Sequence, residues 1–491
     1  MLVTGGHFNH STVPRLFRSL LPFVTVTALA LTGCSQIIPQ EPVAAPNQAT
    51  ISAANEPPKS LPRQPVDPHA APAPVTGGAN VTGGADTAND RFAATVVTGV
   101  EQYWREEFPV QFGMRWRDLR GFTAADPRDT TNPPPCLSRS LDLADQALYC
   151  PRLDTVEWDR TQLVPELRAS YGDGAVVVAL SHEIGHAVQD RLGVNVAAQQ
   201  REPARYPTIL LEGMADCFAG VTVHAVAQGR IRGLRTNPVE LDRALQGLLS
   251  FRDPVGLASA QGAHGNGFDR ASAFIAGYDS GARACAGMTV ADTTFTERSY
   301  RSLADASRGG NLSPGALLAS LERDASAWFG NLATTRGHRW AGVRMLSGAR
   351  CAAAGINGPA PVRSCPGDLA VSTSRDELAG VYQRFGDYAS ATVLVSRYAL
   401  AALTALDRPA VGPDAGRTAV CLTGAYTGAL FDHGSGFELS PGDLDEAVDE
   451  LLSQDLAARD ADGQAPGGDL GFDRVRQFRA GVLGGPASCG V

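Results

Sequence analysis

His182 and His186 stand four residues apart with Glu183 between them, in the run His182-Glu183-Ile184-Gly185-His186. On a helix, positions i and i+4 share one face, so two imidazoles can aim at one ion. Glu183 then lies beside that ion, where its carboxylate can take a proton from water instead of ligating. A hydrolytic zinc needs a third protein ligand and an open fourth position. Leu211-Glu212-Gly213-Met214-Ala215-Asp216 offers one, with Glu212 lying 26 residues beyond His186. Asp216, one turn later, is placed to accept a hydrogen bond from the far nitrogen of a ligating histidine, which would fix its tautomer. The pattern predicts one Zn2+ ion on His182, His186 and Glu212, with Glu183 as the general base.

These side chains need helices to position them. The run Ala175-Val-Val-Val-Ala-Leu-Ser before His182 is apolar and free of proline, and Gly193 is suited to a C-cap. The spacing predicts helices over 176–192, 208–229, 238–251 and 268–277. Between 108 and 160, Phe108, Val110, Phe112, Met114 and Trp116, then Tyr149, Val156 and Trp158, alternate as strands do. The fold class expected is α+β, mostly helical.

The runs His182-Glu-Ile-Gly-His-Ala-Val-Gln189 and Leu211-Glu-Gly-Met-Ala-Asp-Cys-Phe-Ala-Gly220 resemble the neutral zinc metallopeptidase family of bacteria. Tyr149-Cys150-Pro151, His264-Gly265 and Gly267-Phe268-Asp269-Arg270 are similar to its other landmarks, and the likeness covers roughly residues 92–290. It implies a zincin-like fold with His182, His186 and Glu212 as ligands and Glu183 as base. It also implies a strand edge above the site helix that binds extended peptide. Gly213-Met214 stands where the family has Leu-Gln, a change that spares every ligand but costs some helix stability.

Matched intervals predict a duplication. Cys136 and Cys150 are 14 apart, as are Cys351 and Cys365, while Cys217–Cys285 and Cys421–Cys489 are each 68 apart. Gly267-Phe-Asp-Arg…Phe274…Ala276-Gly277…Cys285 recurs without a gap as Gly471-Phe-Asp-Arg…Phe478…Ala480-Gly481…Cys489. The expected organisation is a domain at 91–290, a connector at 291–314 and a second copy at 315–491. Counting from the cysteines sets Arg397, Tyr398 and Ala401 against His182, Glu183 and His186. Counting from Cys217 and Cys421 sets Gly416 and Val420 against Glu212 and Asp216. A permanent cation and an alanine cannot hold zinc, so the second copy is expected to be a pseudo-peptidase.

Residues 1–33 read as a signal peptide: Arg15 and Arg18 precede an uncharged apolar run from Leu20 to Leu31. Leu31-Thr-Gly-Cys34 resembles a bacterial lipobox, which implies lipidation of Cys34 and a membrane attachment on the extracytoplasmic face. An oxidising compartment would let the other eight cysteines pair. Pairing within each copy leaves three connectivities apiece, of which Cys136–Cys150, Cys217–Cys285, Cys351–Cys365 and Cys421–Cys489 are favoured. Residues 34–90, rich in Pro, Ala, Gly and Thr, are expected to form a tether. A net charge of −9 without basic runs argues against nucleic acid as a partner.

The function expected is a lipid-anchored zinc peptidase acting on a peptide or protein substrate. The competing reading is a non-catalytic envelope protein that uses the peptidase fold for binding. His264, in the turn Gly262-Ala-His264-Gly265, is a candidate donor to the reaction's oxyanion, as are Tyr206 and Tyr278. His224 is expected only to face solvent or core along its helix.

Overall fold

Thr87 starts the first long helix: its hydroxyl accepts the Asp90 amide while the Asp90 carboxylate takes the Thr87 amide, a reciprocal cap. The computed structural model describes residues 81–255, 264–347, 362–365, 370–373, 375–432, 437–468 and 470–491. The signal peptide, Cys34 and Cys351 lie outside these. Strand β1 (Val81–Thr82) precedes helix α1 (Ala88–Phe112), then β2 (Gly121–Ala125), β3 (Ala147–Cys150) and β4 (Thr155–Asp159). Helices α2 (Leu163–Tyr171), α3 (Asp173–Arg191), α4 (Val196–Arg201), α5 (Thr208–Ala227) and α6 (Pro238–Leu249) follow. Helices α7 (Gly267–Ser280) and α8 (Ala282–Ala286) complete the first half.

The sheet runs β1-β2-β4-β3, parallel except for β3, which pairs antiparallel with β4 and forms the edge nearest α3. Helix α3 is buried along nearly its whole length, between α1, α2, α5 and α6. That explains its all-round apolar sequence: a helix packed on every side has no solvent face to keep polar. Helix α5 is long and apolar enough to cross a membrane, yet it is buried in the core and carries Glu212 and Asp216.

Two expectations are corrected here. Phe108 and Phe112 belong to α1, not to a strand; they lie four apart, and their rings pack at 5.0 Å on one helix face. The end of the expected tether is structured, because Val81 and Thr82 pair with Phe122 and Thr123. The expected connector is folded as well, containing α9 (Val290–Thr293) and α10 (Leu303–Ala306). Phe295 within it packs against Phe268 and Phe431, and Thr296 donates to the buried Asp269 carboxylate. This segment is glued to both halves.

Beyond it come α11 (Pro314–Thr334), β5 (Arg344–Ser347), β6 (Val362–Cys365), β7 (Ala370–Thr373) and α12 (Arg375–Phe385). Then follow α13 (Asp387–Ala405), α14 (Pro413–Asp432), α15 (Asp443–Ser453) and α16 (Gly471–Ser488). In the second sheet β7 pairs parallel with β5 and antiparallel with β6, the pattern that β4 makes with β2 and β3. Helix α13 has 19 residues like α3, and α14 has 20 like α5. Both α3 and α13 follow a glycine in the left-handed region, Gly172 and Gly386. Disulfides join Cys136 to Cys150, Cys217 to Cys285 and Cys421 to Cys489.

Candidate metal centre

Glycine sets how close the two site helices come. A side chain on Gly185 would lie 2.9 Å from the Ala215 carbonyl, so α3 and α5 touch backbone to backbone there. Gly277 and Gly220 bring α7 against α5 in the same way. The Cys217–Cys285 disulfide ties α5 to α8 at the far end of α7. Two turns of α3 thereby face one turn of α5 at short range.

On those turns the structure brings His182, His186 and Glu212 together, all buried. His182 Nε2 lies 3.2 Å from both Glu212 Oε2 and His186 Nε2, and His186 Nε2 lies 3.7 Å from Glu212 Oε1. Ligands at 2.0–2.1 Å around a tetrahedral zinc are about 3.3 Å apart, so the donor set fits such an ion. Three donors this close leave the rest of the coordination sphere to a small molecule.

Both imidazoles are held from behind. Asp216 accepts a hydrogen bond from His182 Nδ1 at 2.7 Å, leaving Nε2 to face Glu212 and His186. Arg270 on α7 grips the same carboxylate with two bonds of 2.8 Å, and a third goes to the Phe251 carbonyl. Gln189 lies with Oε1 3.2 Å from His186 Nδ1, and its amide donates to the Leu211 carbonyl. Burial opposes charge on His182, but the Asp216 and Glu212 carboxylates outweigh it and hold the imidazole up to about 10. Burial likewise opposes charge on Glu212, yet the neighbouring His186 and His182 keep its carboxyl far below the usual range. The pocket therefore favours positive charge at its centre.

Glu183 points to the sheet side, where one oxygen accepts the Tyr149 amide of β3 at 2.7 Å. The Cys136–Cys150 disulfide fixes the neighbouring residue of that edge strand. A cleft beside the site is lined by Tyr149, Pro151, His186, Val194, Leu211 and Glu212. His264 is half-buried just before α7, with Nδ1 3.7 Å from Asp253 Oδ1. Asp253 is the main cause of its raised basicity, and Glu212 adds to it, so His264 lies within electrostatic reach of the site. Tyr278 instead packs on His224 and Phe472, at the junction with the second half. Tyr206 packs under Arg205 ahead of α5.

Sequence reasoning gave no role to Gln189 or Arg270. Gln189 lies three residues from His186, a helical spacing that could have suggested the contact. Arg270 is 54 residues from Asp216, and only the fold joins them.

A family model described as "Putative neutral zinc metallopeptidase" matches residues 64–287. That part of the chain is similar to the family. Two curated relatives, each called uncharacterized protein YpfJ, come from Escherichia coli strains K12 and O6:H1. Each is 32% identical over 149 residues, which is 27% of this chain and 50% of the relative. The chain thus spans about half the length of the curated relatives it matches. No solved structure matches.

At the positions that the expected duplication would set opposite these residues, the second half carries others. When α3 and α13 are matched at their glycine caps, Ser396, Arg397 and Leu400 stand opposite His182, Glu183 and His186. This corrects the pairing counted from the cysteines by one residue. The stretch from Cys365 to Gly386 (386 − 365 = 21) is one shorter than that from Cys150 to Gly172 (172 − 150 = 22). Gly416 stands opposite Glu212, and a Cβ there would lie 1.8 Å from the Ala458 carbonyl. That carbonyl ends a short 3-10 turn, Leu456–Ala458, which occupies the space. The buried Arg397 guanidinium donates to the Leu456, Ala457 and Asp460 carbonyls.

Proposed function

We propose that this protein is a lipid-anchored, extracytoplasmic zinc peptidase, formed by tandem duplication, whose second copy has lost its site. One observation carries the enzymatic reading: the His182–His186–Glu212 triangle has tetrahedral spacing, with Glu183 beside it. The recurring strand pairing, equal helix lengths and matched disulfide separations support duplication. The signal-like leader and lipobox support attachment through Cys34.

Zinc bound to His182, His186 and Glu212 supplies Lewis acidity toward water and a peptide carbonyl. The chain's own groups do the rest. The Tyr149 amide fixes one oxygen of Glu183, and the other takes the proton from the attacking water and returns it to the leaving amine. His264, its basicity raised by Asp253, is the donor to the developing oxyanion in this reading. Asp216 and Gln189 hold the two imidazoles in the orientation the reaction requires. The cleft by Val194 and Leu211 takes an apolar side chain of the substrate.

Glu183→Gln tests this reading. It should retain about one zinc per chain by elemental analysis and lose at least about a hundredfold in peptidase rate. A His182→Ala, His186→Ala variant should hold no zinc. Unchanged proteolysis in Glu183→Gln, or zinc persisting in the double variant, would sink the proposal.

A further inference from the structure

Helix α7 carries Arg270, the residue that pins Asp216 behind His182. Its first two amides are held from outside the first half. Gly267 and Phe268 donate to the two oxygens of Asp445, a buried residue on α15 of the second half, each at 2.9 Å. Four residues along α15, Asp449 takes a bidentate grip on Arg252 at 2.8 and 2.9 Å. Arg252 adjoins Phe251, whose carbonyl receives Arg270. One helix of the second half thus secures both supports of Arg270.

The contact is reciprocal. Asp242, on α6 of the first half, accepts the Gly471 and Phe472 amides that begin α16, at 2.8 and 2.7 Å. Phe268 meets Phe478 edge to face at 6.2 Å, and Phe274 meets Phe472 at 6.4 Å. Residue i touching j while the counterpart of j touches the counterpart of i is the signature of a two-fold interface. The second half therefore stands where a partner subunit would stand. A carboxylate at a helix N-terminus neutralises exposed amides and the positive end of the helix dipole. Only one of the two caps leads to a metal centre. Asp473 and Arg474 follow the other, on a helix whose neighbour α14 has Val420 in place of the carboxylate.

We infer that Asp445 is a positioning residue for the first-half site, acting through α7, Arg270 and Asp216 on His182, so the second half is a fixed subunit that sets zinc affinity. This rests on the zinc-site reading above.

The test compares Asp445→Asn with Asp242→Asn in the full chain. Both substitutions weaken one crossed cap of the same kind. Metal-free stability is read by urea unfolding, and zinc affinity by competition with a chromogenic chelator. Both variants should lose similar stability, while Asp445→Asn alone weakens zinc binding, by about 3- to 30-fold. Zinc binding by Asp445→Asn equal to wild type, or an equal loss in Asp242→Asn, overturns the inference and leaves the zinc reading standing. A wild type that binds no zinc overturns both. Should Asp445→Asn fail to fold, Asp449→Asn, which releases Arg252 from the same helix, is read against the same criteria.

Discussion

Two facing helix pairs, α3 with α5 and α13 with α14, share length, caps and a disulfide, yet one encloses a polar cage and the other a packed plug. In the first pair Glu212 reaches between His182 and His186. In the second, Gly416 gives up that space to the Ala458 carbonyl, and Arg397 satisfies the carbonyls of the intruding turn. A buried site that loses its ligands cannot stay hollow, because orphaned backbone groups and voids both destabilise. Under the duplication proposed above, losing the chemistry required a refilling, and the arginine that repels a cation is also what holds the plug.

The contrast can be broken at several points. Arg270→Ala should have the largest effect, leaving the Asp216 carboxylate buried without its strongest partner. Removing one member of a buried pair costs about 3–5 kcal/mol, visible as a fall in urea midpoint, and zinc binding should weaken with it. Next comes Gly416→Ala, which drives a methyl into the Ala458 carbonyl and should cost about 1–3 kcal/mol while zinc content stays unchanged. Loss of zinc in that variant would mean that the two pairs are not independent.

A pH series sharpens the same difference. Burial pushes the Glu450 carboxyl, in the second half, up to about 8 against the opposing Arg474 and Arg397 guanidiniums. Its folded value lies above its unfolded one, so the stability it lends is complete below about 4.3 and is lost as pH rises through about 8. Glu450→Gln should raise the melting temperature at pH 9 relative to wild type and leave it nearly unchanged at pH 5. The smallest effect lies at the helix ends. Gly193 follows α3 at φ 80°, and Asp407 follows α13 at φ 56°. Asp407→Gly should stabilise by less than about 1 kcal/mol, and Gly193→Asp should destabilise by a similar amount. Equal and opposite shifts in thermal melts would confirm that the helices share their register.

What could be read from the sequence followed its local periods. His182, Glu183 and His186 declare themselves because one helix carries all three, and Glu212 with Asp216 shares the i, i+4 spacing on the next. The strand expectation at Phe108 to Trp116 failed because residues four apart satisfy a period of two and also suit a helix. Strand β1 escaped notice because two residues give no period at all. No local pattern gives Arg270 or Asp445 a role, since each meets its partner only through tertiary packing. The one-residue slip between Cys365 and Gly386 shows how spacing between landmarks fails wherever a loop changes length.

The folded segment between the halves has one further consequence. In a two-chain assembly, the supply of Asp445 to α7 would depend on protein concentration and would fade on dilution. Here Thr296 and Phe295 hold the joining stretch against α7 itself, so the effective concentration of the second half at its docking face is set by geometry alone. Under the lipid-anchored reading proposed above, such a protein would keep its support at any surface density.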